Sequence, residues 1–295
     1  MLTWFLLALG SAFTNSWTQA TQKLALKLTS YSKYSITFIA SATASSLLFI
    51  VSYFFVGFPA VDSRFWLAIF ITGVLNFISF PLMLKAYEVG EFSSVYSMIL
   101  LTPVFLLITS FIFLGEAPSL FGILGVLLTI FGLWFISQRR EESAVLDFKK
   151  GNFLGILVAF IFSITVNFDK IATQHSDVFF SPAIGSLVMA ICCLFYLLFR
   201  YKRILVRNGN VVPPEKKLFG NVWILFLLGT IIALSSIFHN SALLAGFASY
   251  TIAIKRTGIL FGVLWGWLFF DEKGIAKKLL GAGIAISGVI AILFS

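Results

Sequence analysis

Charge is scarce in this chain. Lys, Arg, Asp and Glu make up 11% of its 295 residues and hydrophobic types 59%, against roughly a quarter charged in an average soluble domain. That balance excludes a water-soluble fold. Cysteine is nearly absent: Cys192 and Cys193 are adjacent inside an apolar run, where they act as small hydrophobes and frame no disulfide or metal site. Histidine is limited to His175 and His239, and no glycine-rich phosphate loop occurs, so no metal, ATP or other cofactor is expected. The alternation of polar and apolar positions that a β-barrel strand needs is missing too, since stretches such as Phe121–Ile136 are apolar on every side.

What remains is a chain of long apolar runs. A spanning helix takes about 20 mostly apolar residues, and the charge and turn punctuation divides the sequence into spans at about 2–22, 34–56, 65–86, 92–114, 118–137, 152–174, 180–199, 219–242, 247–270 and 275–294. The first lacks a cationic leader region and is long for a cleaved signal, so it reads as a mature helix. The expected fold is all-α and integral to the membrane, with ten transmembrane helices.

The net charge of +9 does not point to nucleic acid, because the cations lie in the loops, where they set orientation. Of the 21 Lys and Arg residues, Arg64 and Lys170 fall on one side, Lys255 and Arg256 lie inside a span, and the other 17 fall on the opposite side. The positive-inside rule then places the loops bearing those 17 in the cytoplasm and both termini outside, with the plasma membrane the expected location.

The two halves repeat. A shift of 156 residues lays Gly73 on Gly229, Ala86 on Ala242, Gly90 on Gly246, Ser93 on Ser249, Phe105 on Phe261, Glu116 on Glu272, Gly125 on Gly281 and Gly132 on Gly288. A shift of 152 lays Asn15 on Asn167 and Ala20-Thr21-Gln22 on Ala172-Thr173-Gln174. The chain thus divides into a first repeat at 1–137, a cytoplasmic linker at 138–151 and a second repeat at 152–295. Five spans per unit is odd, so the second copy runs upside down relative to the first. Inverted repeats are a signature of secondary transporters, whose substrate site lies near the midplane between the halves.

The run Ala86-Tyr87-x-x-Gly90, then Ser93, Pro103, Gly115-Glu116, Gly122, Gly125 and Gly132, with its second copy from Ala242 to Gly288, resembles the drug/metabolite transporter superfamily, specifically the EamA-like branch. The resemblance covers nearly the whole chain and implies ten helices in two inverted bundles that move metabolites such as amino acids, sugars, nucleotides or drugs. Members usually keep both termini in the cytoplasm, the reverse of what the loop charge predicts here. The Lys255-Arg256 pair resembles that of the triose-phosphate and nucleotide-sugar branch, where it grips substrate phosphate. That branch also uses a lysine in the fourth helix, and the stretch around Ile99 and Leu100 has none.

Lys255 and Arg256 fall about 2–3 residues from the centre of the ninth span, within ~5 Å of the midplane. An in-membrane cation costs at least ~2.5–3.5 kcal/mol on insertion scales, which makes the pair a substrate-site candidate. The competing reading is a structural pair with Asp169 or with freed carbonyls of a broken helix. Leu260, Phe261 and Trp265 are expected as its apolar wall. Asn15, Gln19 and Gln22 form one polar stripe on the first helix, echoed by Asn167 and Gln174 on the sixth, and either line a cavity or hydrogen-bond between helices. Asp169 extends the sixth-helix stripe, as a carrier of a coupling proton or as the partner of Lys170. Tyr96 and Tyr250, with Asn76 and Thr102, are further cavity candidates. His239 reads as a hydrogen-bonded anchor. Glu116 and Glu272 read as turn or cap residues, with gating as the second reading. Gly125, Thr129 and Gly132, echoed by Gly281, Ala285 and Gly288, serve close helix packing, with a homodimer face as the second reading. Pro103 has Ile259 as its counterpart, so any kink it makes is expected in one half alone.

The leading function is a secondary active transporter for a small metabolite, with an anionic group expected to be held by Lys255 and Arg256, working by alternating access through a midplane cavity. Its partners are that substrate and the lipid bilayer. A flippase for a lipid-linked substrate is the alternative, distinguished by access from the bilayer. An integral-membrane enzyme would need paired carboxylates or a nucleophile cluster at the membrane edge, and a channel a selectivity ring or filter; the sequence assembles neither.

Overall fold

The structure is a computed structural model, and it describes residues 2–90, 95, 98–99, 101–137, 148–208, 221–258, 260–261, 265 and 275–294. Tyr96, Ser93 and Glu272, and most of the linker, lie outside the described residues. Ten helices are found among the described residues: α1 Leu2–Leu28, α2 Lys33–Phe55, α3 Ser63–Val89, α4 Thr102–Leu114, α5 Leu120–Ser137, α6 Phe148–Gln174, α7 Phe180–Asn208, α8 Trp223–Ala245, α9 Ala248–Arg256 and α10 Ile275–Leu293. Within α2, α3, α6, α7 and α8 there are segments long and apolar enough to cross a bilayer by themselves.

Local chemistry sets the helix ends. Ser32 caps α2 by accepting the Ser35 N–H at 3.1 Å, and Asp62 caps α3 by accepting the Phe65 N–H at 3.0 Å; each satisfies a donor that the first turn leaves open. The Phe65 N–H, seconded by His175 alongside, holds the exposed Asp62 carboxyl below its usual range. Gly115 ends α4 with φ +66°, a left-handed conformation that glycine adopts without a Cβ clash.

Apolar residues cover the exterior as well as fill the interior, unlike in a soluble protein. Large apolar side chains such as Phe54, Phe55, Trp66, Phe111 and Phe121 are exposed, while α1 buries Ala8, Ser11, Ala12, Asn15, Thr18 and Gln19. Lipid tails solvate the outer residues, and helices approach through small and hydroxyl-bearing ones. Most buried hydroxyls bond within their own helix, as Thr37 does to the Lys33 carbonyl at 2.9 Å and Thr18 to that of Thr14 at 3.1 Å. The polar stripe explains why α1 falls short of the apolarity of the other long helices.

The most extensive packing pairs map onto themselves when the first five helices are exchanged for the last five. Thus α1 packs on α8 as α6 does on α3, α2 on α8 as α7 on α3, and α4 on α6 as α9 on α1, while α2–α7, α4–α9 and α5–α10 are their own counterparts. The repeated glycines sit at matching contacts: Gly73 seats Val188 of α7, and Gly229 seats Thr43 of α2. The small-residue stripe is used within the chain, since Gly125 lies against the Gly288 carbonyl, and Gly132 against Ala285 and the Gly281 carbonyl.

One expectation is corrected. The break associated with Pro103 recurs in the other half without a proline. Leu101 is a turn residue whose N–H bonds the Met98 carbonyl at 3.1 Å, and 156 positions on the Thr257 N–H bonds that of Ile254 at 3.0 Å, followed by Gly258 to Lys255 at 3.2 Å. Bonds of this i to i+3 kind tighten the chain out of α-helix. In the second half the turn is made at Thr257-Gly258, where the Gly258 Cα faces the Ala12 carbonyl of α1 so closely that no Cβ fits. Within the described residues, the runs expected as the fourth and ninth spans are each interrupted by such a turn, at Leu101 and at Thr257-Gly258.

Candidate functional site

A polar cavity of about 150 Å³ lies at the middle of the helices, bordered by α1, α3, α6, α8 and α9. Residues singled out from the sequence line it together, among them Asn15, Gln19, Asp169, Lys255 and Arg256. Asn76, Gln22 and His239 line it as well, and its apolar wall is Phe80, Met83, Phe162, Val166, Ile232 and Ile252. Phe261 and Trp265 lie elsewhere, packed on Phe13 and Trp17 of α1 with ring centroids 5.2 and 4.3 Å apart, because the chain turns at Thr257-Gly258 and carries them past the cavity.

Lys255 and Arg256 occupy the last turn of α9, where the exposed carbonyl ends of a helix favour cations. Arg256 is 4% exposed, and its Nη2 donates to the Thr102 hydroxyl at 2.8 Å. Thr102 is the first residue of α4, so this bond joins the two helix breaks across the halves. Gln19 is fixed by the Tyr87 hydroxyl, which donates to its Oε1. Gln22 Oε1 and His239 Nδ1 are buried without a hydrogen-bond partner among the described residues, so the cavity presents polar atoms that a ligand can satisfy.

Asn167 and Tyr250 do not border this cavity, and Gln174 and Thr102 are not part of its lining either. Asn167 is fully buried, and its Nδ2 donates to the Ser163 carbonyl one turn back at 2.8 Å, so the sequence echo of Asn15 does not carry over to position. Tyr250 accepts the Ser119 N–H at 3.2 Å and its ring lies against Gly122, tying the start of α9 to the α4–α5 turn. It borders a second cavity of about 530 Å³ with Trp4, Glu116, Lys170 and Gly246.

Asp169 and Lys170 do not pair. Consecutive helical residues point about 100° apart, and here Asp169 faces the first cavity while Lys170 faces the second. Lys170 Nζ lies 2.6 Å from Glu116 Oε1 and donates to the Gly246 carbonyl at 2.6 Å. Glu116 Oε2 accepts the Ala248 N–H at 2.8 Å, capping α9. The cap reading of Glu116 holds, but the helix it caps belongs to the other half, and with Lys170 it forms a buried three-way tie of the α4–α5 turn, α6 and the α8–α9 turn. Thr18, Thr165, Ser235 and Ser236 also line or flank the central cavity. The sequence offered no signal for them, since serine and threonine are common in any span.

The sequence profile of the EamA-like transporter family matches residues 2–138 and again 149–294. The chain belongs to the EamA-like transporter family. This EamA-like chain also shares its fold with a solved crystal structure, described only as that of a protein, over 97% of both chains at a TM-score of 0.70 and 12% identity. No curated protein matches its sequence. As a member of the family it is a helical integral membrane protein of a transporter type acting on small substrates.

Proposed function

We propose that this EamA-like protein is a secondary active transporter that carries a small anionic metabolite across the plasma membrane by alternating access. The observation that carries the reading is the meeting of the two mirrored helix breaks, through Arg256 and Thr102, at the wall of a cavity that also holds Lys255, Asp169 and three uncharged amides of α1. Discontinuous helices facing a midplane cavity are the usual binding device of inverted-repeat carriers. The cavity volume of about 150 Å³ is below the roughly 300–1,000 Å³ of drug-sized sites, which favours a small solute. The Lys170–Glu116 tie closes one end of the bundle and must open when the cavity turns to that face.

Ten crossings in two inverted repeats account for how the ends associate. Lys33 pairs with Glu88 at 2.5 Å and Asn221 donates to the Leu28 carbonyl at 3.3 Å, contacts that alternate crossing puts on the cation-rich face. Asp62 with His175 and Glu116 with Lys170 fall on the other. Ser63 and Asn221 stand at the start of the equivalent α3 and α8 and are both exposed. In a background lacking Cys192 and Cys193, Ser63→Cys is expected to react with an impermeant thiol reagent from outside, and Asn221→Cys from the cytoplasm alone. Reaction of both from one face would remove the inverted arrangement; exchange of the faces would reverse the orientation and put the termini inside.

The site itself is tested on a metabolite that raises the melting temperature of the purified protein. The guanidinium offers a two-point grip on carboxylate or phosphate and the ammonium a point charge. Lys255→Gln and Arg256→Gln are each expected to weaken that ligand by roughly 1.5–3 kcal/mol, about tenfold to over a hundredfold. Arg256→Lys, which keeps the charge and loses the fork, is expected to fall short of wild type. Unchanged affinity in all three would end the anion-site reading.

A further inference from the structure

Asp169 is a carboxylate at the middle of the bundle without the partner its sequence suggests, because Lys170 is committed to Glu116 and Gly246. Among the described residues its ionic partner is His239 of α8, whose Nε2 lies 3.9 Å from Asp169 Oδ2. That separation is longer than a hydrogen bond and short enough that the charge of one group governs the other. The His239 ring is 8% exposed and lines the cavity, yet its Nδ1 has no hydrogen-bond partner among the described residues. A histidine serving only as an anchor uses its ring nitrogens to hold neighbouring groups; this one turns Nε2 toward Asp169 and leaves Nδ1 without such a group among the described residues. Imidazole beside carboxylate is the side-chain chemistry that gains and loses a proton in the physiological range, and ionisable groups facing a membrane cavity are the usual material of proton relays.

The surroundings give the coupling a sign. The groups lining the cavity are Asp169 from α6, His239 with Ser235 and Ser236 from α8, Lys255 and Arg256 from α9, and uncharged Asn15, Gln19, Gln22 and Asn76 from α1 and α3; α4 adds the Thr102 hydroxyl to Arg256. Protonating the Asp169–His239 pair adds positive charge to a chamber already holding two cations and one carboxylate. An anion seated on Lys255 and Arg256 offsets that repulsion, so proton and anion each favour binding of the other, and linkage makes the preference reciprocal.

We propose that Asp169 and His239 form a proton-carrying pair, and that the protein moves a proton together with an anionic solute in the same direction. The proposal rests on the carrier reading above. Water in the cavity delivers the proton to the pair at one face and accepts it at the other, with no other bond made or broken.

The probe is the proton itself. Proteoliposomes adsorbed to a solid-supported membrane and given a pH step without added solute are expected to show a transient current in wild type. Asp169→Asn and His239→Gln should each abolish most of it, because each removes one of the two groups that carry the proton, while Asp169→Glu retains it. In parallel, His175→Asn leaves His239 as the one histidine of the chain. Its ¹⁵N-labelled ring should change protonation state between about pH 4 and 9, and Asp169→Asn should displace that change by at least about one unit. A ring fixed in one state throughout, or a current indifferent to Asp169→Asn in protein that remains folded by its melting transition, overturns the pair. A metabolite that stabilises the protein while no Asp169-dependent current exists overturns the proton pair alone; absence of both overturns the carrier reading with it.

Discussion

Lys170→Met is expected to lower the stability of the purified protein by about 3–5 kcal/mol, because it strands Glu116 as a buried carboxylate. The two side chains are 10% and 7% exposed and 2.6 Å apart, and in so enclosed a setting the surviving Ala248 N–H cannot replace a full cation. Glu116→Gln keeps an oxygen for the α9 cap and still leaves the Lys170 ammonium its bond to the Gly246 carbonyl. The double variant removes both charges and should recover most of the loss, since replacing a buried pair by uncharged groups is often close to neutral. Unfolding of the four proteins in detergent closes the cycle. Single changes below about 0.5 kcal/mol would mean that water reaches the pair. The stable double variant also reports on gating: with the tie gone, Ser236→Cys in the cavity wall should react faster with a reagent applied on the Ser63 face. An unchanged rate would leave the tie a structural clasp.

Gly132→Leu is expected to prevent α5 and α10 from docking, and Gly132→Ala to cost about 1–3 kcal/mol, the usual penalty of overpacking. A Cβ at Gly132 would lie 2.6 Å from the Gly281 carbonyl oxygen and 2.9 Å from the Ala285 Cα. These are backbone atoms that no rotamer change can move aside. The contact has no hydrophobic reserve either, because lipid is as apolar as the side chains and close approach is itself the source of the attraction. Gly283 on α10 is the control, with nothing within 4 Å of its added Cβ. Gly283→Ala should be neutral or stabilise by up to about 1 kcal/mol through helix propensity. Tolerance of Gly132→Leu would return the stripe to the homodimer reading.

Much of the architecture was legible from the chain because a bilayer imposes few choices. Every backbone polar group must be satisfied within its own segment, so apolar length converts directly into helices, and the boundaries of α2, α3, α6 and α8 fall near those expected. Gap-free recurrence of glycines was equally readable: a residue with no Cβ records a close contact, and Gly73, Gly125, Gly132, Gly229 and Gly288 all stand at such contacts. Lys255 and Arg256 were conspicuous because a cation inside a span needs a reason.

Partnerships were not legible. Asp169 and Lys170 are adjacent in sequence and serve different cavities; Glu116 and Ala248 lie in different halves and share a hydrogen bond. Asn167 repeats Asn15 in sequence yet turns its amide back onto its own helix. The mirrored break at Thr257-Gly258 carries no proline to announce it. By itself the sequence determined that this is an all-helical, internally repeated membrane protein of a transporter family, because hydropathy and recurrence are properties of the linear chain. Which polar groups meet, which buried charges neutralise one another, and that Asp169 is left facing His239 rather than Lys170 were decided by the tertiary structure alone, because a helical side chain's neighbours are set by the rotation and crossing of helices far apart in sequence.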